Sequence, residues 1–190
     1  MTDNTNSHNS FLKKGSDKMQ GGIQGGKMLH FKRMGRELAM QYLFQCDLMG
    51  VGSDDVLKEN FWLQAEESGE FPTNRIFRKA KNYAEKIIAG VAENESEIDK
   101  TIESFSEKWD IERMPAVDRN IMRVAIYELK YCPDIPALVS IDEAIEIAKQ
   151  FGSEKSGLFI NGILNGVKDS LPPDAKSHSG VKPKDDGDDE

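Results

Sequence analysis

The chain has 190 residues, 38% hydrophobic and 31% charged, with a net charge of −8. This balance fits a small domain with long helical surfaces. No run approaches the ~20 apolar residues that a bilayer span needs, and the N-terminus lacks the apolar core of a signal peptide, so a cytoplasmic location is expected. The net charge conceals an asymmetry. Lys13, Lys14, Lys18, Lys27, Lys32, Arg33 and Arg36 share their interval with Asp17 alone, whereas Asp185, Asp186, Asp188, Asp189 and Glu190 close the chain.

Residues 1–28 are rich in Asn, Ser, Gly and Lys and read as a disordered basic extension, because such a segment buries too little apolar surface to order itself. Helical periodicity then begins. A first helix is expected over Lys32–Met49, stopping at Gly50, with Leu38, Tyr42, Leu43 and Cys46 inward. A second follows Ser53 and presents Val56, Leu57, Phe61 and Leu63. After a loop over 67–73 with Gly69 and Pro72, a third helix over Asn74–Ala92 buries Ile76, Phe77, Ala80, Ala84, Ile87, Ile88 and Val91. A fourth over Glu95–Lys108 carries Ile98, Ile102 and Phe105. Pro115 suits the first turn of a fifth helix, where its missing N–H costs little, and that helix ends at Tyr131, before Pro133.

Asp134–Val139 reads as an extended link. Ser140 and Glu143 then have capping-box spacing and start a sixth helix with Ile141, Ala144, Ile145 and Ala148 inward. Gly152 suits a left-handed closing residue. Ser153 or Ser156 caps a seventh helix with Phe159, Ile160, Ile163 and Leu164 on its apolar face. Asn161 reads as a buried amide, and Gly162 as a point of close helix approach. Pro172 and Pro173 end the helix, and 172–190 form a disordered acidic tail. No stretch alternates with period two for long, so the expected fold is all-α: one domain over 29–171 with about seven helices.

Chemistry-bearing constellations are sparse. The chain contains no phosphate-cradling glycine loop, nucleophile elbow or His-Glu-x-x-His motif. Cys46 and Cys132 lie in apolar helical patterns and read as small core residues. His8, His30 and His178 lie at or beyond the domain edges, with no metal-ligand spacing. A non-catalytic protein without cofactor or metal is expected.

Three blocks carry a family resemblance. Ser140–Leu164 reads SIDEAIEIAKQFGSEKSGLFINGIL, Trp109–Leu129 contains Val117-Asp118-Arg119, Ile121, Arg123, Ala125 and Tyr127-Glu128-Leu129, and Arg36–Gln41 opens the first helix. In this order the blocks resemble the NusB family of bacterial transcription antitermination factors, over roughly Lys32–Leu171. The resemblance implies two packed helical bundles and a factor that binds single-stranded boxA RNA of ribosomal RNA operons. It also implies a NusE-type small-subunit ribosomal protein as partner, and an RNA polymerase elongation complex with other Nus factors as the target. The alternative is a non-catalytic helical adaptor related to the N-terminal domain of RNA cytosine methyltransferases. The enzyme itself needs a following α/β domain, and only a short acidic tail follows Leu171.

Family motifs place RNA contacts at Lys32, Arg33 and Arg36, whose cations would neutralise phosphates and release counterions. They also place RNA contacts at Phe44 and Phe159, whose rings can stack on bases. Lys32, Arg33 and Arg36 are expected at the exposed start of the first helix, removable without loss of stability. Partner contact is expected at Asp118 and Arg119, at the head of the fifth helix, where an acid also favours the positive helix end. The chain departs from the family pattern in having fewer arginines in the basic cluster and Phe44 where Tyr is common.

Overall fold

A computed structural model describes residues 31–52, 55–68, 75–106 and 109–172. The expected tails, the basic lysines at 13–27, the acidic terminus, the three histidines, Ser53 and most of the 67–73 loop lie outside these residues. The described residues contain six α-helices and no strand: α1 (Phe31–Met49), α2 (Asp55–Glu67), α3 (Arg75–Phe105), α4 (Ala116–Tyr131), α5 (Ala137–Phe151) and α6 (Ser156–Ser170). A single 3₁₀ turn, Ile111–Arg113, precedes α4.

α1 ends as its sequence predicts. Gly50 takes the left-handed conformation (φ 63°), its N–H bonds to the Asp47 carbonyl, and the N–H of Val51 bonds back to Cys46. This is the Schellman arrangement, which a residue without Cβ adopts at no steric cost.

Two expected helices are one. α3 runs unbroken through Glu93–Glu95, where no Gly or Pro interrupts it, and the Asn94 side chain donates to the Gly90 carbonyl inside the helix. Ile98 and Ile102 therefore continue the buried stripe of Ile87 and Val91 along a rod roughly 46 Å long. That rod carries α1 on one side and α4 on another.

Three further expectations change at the sixth helix. α5 starts at Ala137, directly after Pro136, so Ser140 lies inside the helix and is not its cap. Gly152 is extended (φ −88°, ψ −171°), and a Cβ there would press on Ser156 and the Ala148 carbonyl, so space rather than handedness selects it. Ile145 is half-buried and packs against the edge of the core, whereas Ile147 lies inside it. In α2, Phe61 is buried and Leu57 packs against the core as expected, whereas Val56 and Leu63 are exposed and Trp62 and Ala65 are buried in their place. Phe61 reaches Tyr42 edge-on, with ring centroids 5.4 Å apart.

α4 touches α1, α3, α5 and α6, joining the N-terminal and C-terminal halves. It packs tightly against α3 at Gly90, where an added Cβ would lie 2.1 Å from two atoms of the Tyr127 ring. Gly162, expected to serve this purpose, faces open space. Gly90→Ala is expected to lower stability: overpacking costs about 1–3 kcal/mol and outweighs the gain of about 1 kcal/mol in helix propensity. Gly162→Ala should keep that gain. Urea midpoints of the two variants moving in the same direction would contradict this packing. Cys46 and Cys132 are both buried and unbridged, as their patterns suggest.

Candidate nucleic-acid interface

The first turn of α1 does not form the free cationic patch that its local sequence suggests. Arg33 donates from Nε and Nη2 to the two carboxylate oxygens of Glu143 on α5, both at 2.7 Å. Arg36 is 3% exposed and donates from Nε to both oxygens of Glu128 on α4, at 2.8 and 3.1 Å. Its guanidinium also lies 3.6 Å from Glu143 and over the Tyr83 ring. Glu128 is fully buried and further accepts from Tyr83 Oη (2.5 Å) and Ser140 Oγ (2.8 Å). Ser140 thus holds an interior carboxylate instead of capping a helix.

Arg36 is consequently a structural cation. The expectation that it can be neutralised without loss of stability is corrected, because its removal strands a buried carboxylate. Lys32 and Arg33 keep partly exposed heads, with Lys32 Nζ 5.7 Å from the centre of the Tyr83 ring. Bidentate pairing also leaves Arg33 Nη1 outside the Glu143 pair, since a guanidinium has five N–H donors.

Glu37, on the same turn, is 4% exposed and has no hydrogen bond or ion pair among the described residues. Burial pushes its carboxyl up to about 7; Arg33 pulls the other way and Glu143 adds to the rise.

The aromatic candidates lie elsewhere on the surface. Phe44 is half-buried near the end of α1. Phe159 is half-buried on α6, with its ring centre 6.3 Å from that of Trp109. Trp109 is 54% exposed, and its backbone is pinned by Ser106, which accepts from its N–H and donates from Oγ to its carbonyl. In the sequence Trp109 stands out only as a family landmark; its ring beside Phe159 places both on one face.

Asp118 and Arg119 do not present a free charged surface. Asp118 is 4% exposed, and its Oδ1 has no hydrogen-bond partner among the described residues. Burial raises its pKa, partly offset by a hydrogen bond from Ser156. A Lys in its place would bury an unpaired cation, so that substitution probes folding before it probes a partner. Arg119 donates to Asp47 Oδ2 at 2.7 and 3.0 Å and to the Ile111 carbonyl at 2.8 Å. Asp47 also accepts from Asn120 and Arg123, and Arg123 grips Asp99 on α3. Burial alone would raise the Asp47 pKa, but the Arg119 hydrogen bond, Arg123 and Asn120 hold it below the ordinary value. The motif arginines of α4 therefore clamp α1, α3 and α4 together. Among the described residues, no three His, Cys, Asp or Glu side chains converge to hold a metal ion, and no helix is long and apolar enough to cross a membrane.

The model of the NusB family matches residues 33–169. A transcription antitermination protein NusB of Bacillus cereus strain B4264 is 44% identical over 140 residues, covering 74% of this chain and 98% of that protein. The chain belongs to the NusB family. Among solved NusB structures, that of T. maritima is 36% identical, with a TM-score of 0.61 over 75% of this chain and 93% of that one. A crystal structure of the antitermination factors NusB and NusE with double-stranded RNA contains a chain that is 26% identical. Its TM-score is 0.63 over 76% of this chain and 100% of that one.

Within the NusB fold, this chain carries a basic cluster that its motifs do not reveal. Arg75, Arg78 and Lys79 are exposed on the first two turns of α3, beside the start of α1. Lys79 Nζ lies 5.6 Å from the centre of the Phe31 ring, and Phe31 meets Tyr83 edge-on. In the sequence the cluster shows only as four cations within Arg75–Lys81. Only the tertiary fold sets that helix beside Lys32.

Proposed function

We propose that this chain is a transcription antitermination factor that binds single-stranded boxA RNA together with a NusE-type ribosomal protein. The pair would then join RNA polymerase and other Nus factors in the cytoplasm and keep the elongating enzyme processive. The action is binding; no bond is made or broken. Support comes from the match over the whole folded region to proteins of this name and from the solved NusB–NusE–RNA complex of the same fold. The single observation on this chain that carries the reading is the partly exposed Lys32 and Arg33 at the start of α1, beside the rings of Phe31 and of Tyr83 on α3, with Arg33 already paired to Glu143. Phe44 and Phe159 are proposed as stacking contacts, and Asp118 and Arg119 as supports of the partner-facing end of α4.

One observation favours the adaptor reading. Glu143 neutralises Arg33 and Glu128 neutralises Arg36, so the α1 patch alone attracts phosphate weakly. RNA affinity should therefore depend on the partner. Adding the ribosomal protein is expected to tighten boxA binding about tenfold or more, a coupling of about 1.4 kcal/mol, with the same factor when RNA is added first.

Replacing Lys32 and Arg33 by Gln should weaken RNA binding and reduce the salt slope by about 0.7 per lost phosphate contact, with a smaller loss of melting temperature than Arg36→Ala because the Arg33–Glu143 pair is only partly buried. A fluorescence titration across salt concentrations measures both quantities. Equal affinity and slope in wild type and variant, with and without the partner, would favour the adaptor.

A further inference from the structure

We propose that Arg75, Arg78 and Lys79 on α3 extend the RNA path, forming with Lys32 a second strip that binds phosphates of the single strand flanking boxA. This rests on the RNA-binding reading above and adds a surface that the α1 motif does not contain. Three observations carry it.

The first is charge without compensation. Arg75, Arg78 and Lys79 are exposed, and none of them forms an ion pair among the described residues. Their neighbour Lys81 differs: it pairs with Glu66 at 3.2 Å and lies over the Trp62 ring, so it is committed to holding α2. In the α1 cluster Arg33 and Arg36 are likewise committed, to Glu143 and Glu128. Among the described residues at this end of α1 and α3, the three α3 cations carry no such carboxylate partner.

The second is placement. Arg75, Arg78 and Lys79 have i, i+3, i+4 spacing, so they share one face of the helix. Lys79 reaches the Phe31 ring, and Lys32, the next residue of α1, covers Tyr83, one turn further along α3. The strip is thus continuous with the start of α1, and two aromatic rings lie between its cations.

The third is that stability disfavours the arrangement. Neither α1 nor α3 has an acidic residue in its first turn. Basic side chains there oppose the positive end of the helix dipole and so destabilise the helix starts. A polyanion laid across both helix starts reverses that sign. Among polyanions, a single-stranded RNA suits a narrow strip of cations punctuated by rings, because phosphates and bases alternate along it.

The test replaces Arg75, Arg78 and Lys79 together by Gln in the full chain and titrates a labelled boxA strand with flanking nucleotides at several salt concentrations. The expected result is a salt slope smaller by about 2, from about 0.7 per phosphate contact, with affinity at low salt reduced about tenfold. Melting temperature should stay level or rise. A boxA strand trimmed of its flanks should lose less affinity to the same substitution.

If the Lys32/Arg33 variant weakens binding and the α3 variant does not, the strip is overturned and the α1 site stands. If neither weakens binding, the RNA reading itself fails. Unchanged RNA binding with weaker binding of the ribosomal protein would assign the strip to a protein contact and overturn the proposal. The chain's own acidic terminus is a rival occupant. If removing 180–190 tightens RNA binding in wild type but not in the α3 variant, tail and RNA share the strip, which supports it as an anion site. If the α3 variant loses RNA affinity only while the tail is present, a direct phosphate role is overturned.

Discussion

Arg36→Ala is expected to lower the stability of the domain by about 3–5 kcal/mol, because it leaves the Glu128 carboxylate buried without its cation. The carboxylate would keep Tyr83 Oη and Ser140 Oγ as donors, but two neutral hydrogen bonds do not replace a guanidinium in contact with both oxygens. For a domain of this size the melting temperature should fall by roughly 10 °C. Removing both charges, as Arg36→Met with Glu128→Gln, should recover much of the loss, since the cost of breaking a buried pair exceeds the cost of replacing it. Thermal melts followed by circular dichroism decide the matter. An Arg36→Ala midpoint equal to wild type would show that the pair carries little of the fold. Any loss of RNA binding in Arg36 variants has to be judged against this loss of folding.

Glu37→Gln is expected to stabilise the protein at neutral and alkaline pH and to flatten its pH profile. The carboxyl has a pKa of about 7 in the folded chain against an ordinary value of 4.5. The folded chain therefore holds this proton while the unfolded chain has lost it, so stability falls as pH rises through the window between those values. Below the window the group costs nothing; above it, the full cost is up to about 3 kcal/mol, at 1.36 kcal/mol per pKa unit. The amide has no proton to lose, so the variant should match wild type near the acid end and exceed it above neutrality. Parallel urea unfolding curves at a series of pH values test this, and an unchanged difference across the window would refute it. Arg33 and Glu143 face the same carboxyl, so Glu143→Gln should lower its pKa by removing a like charge.

Much of the fold was legible in the chain because burial patterns are local. Leu38, Tyr42, Leu43 and Cys46 follow helical spacing and all point into the core. Gly50 ended α1 through a conformation that its lack of Cβ permits. The boundary between the third and fourth expected helices was not legible, since a polar stretch such as Glu93–Glu95 reads equally as a link or as a solvated helical turn. The continuing stripe of Ile98 and Ile102 along the same rod decided for the helix. Ser140 imitates a helix cap for a related reason. A Ser three residues before a Glu matches a helix start, but Pro136 had already begun the helix, and the hydroxyl turned to Glu128.

The candidate site divides the same way. Its residue types and family membership follow from sequence alone: the basic first turn of α1, the motif acids and arginines of α4, and the aromatic positions 44 and 159. Which of those charges are free is a tertiary property, because a carboxylate remote in sequence can neutralise an arginine at contact distance. Glu143 lies 110 residues from Arg33, and Glu128 lies 92 from Arg36. No local window sees such pairs. The converse holds on α3, where Arg75, Arg78 and Lys79 acquire a place beside Lys32 only when α3 packs against α1. Sequence determined which groups exist and which helices they ride on. Packing decided which are desolvated and paired, and so which remain to meet a phosphate, since Coulomb attraction depends on distance and burial and not on separation along the chain.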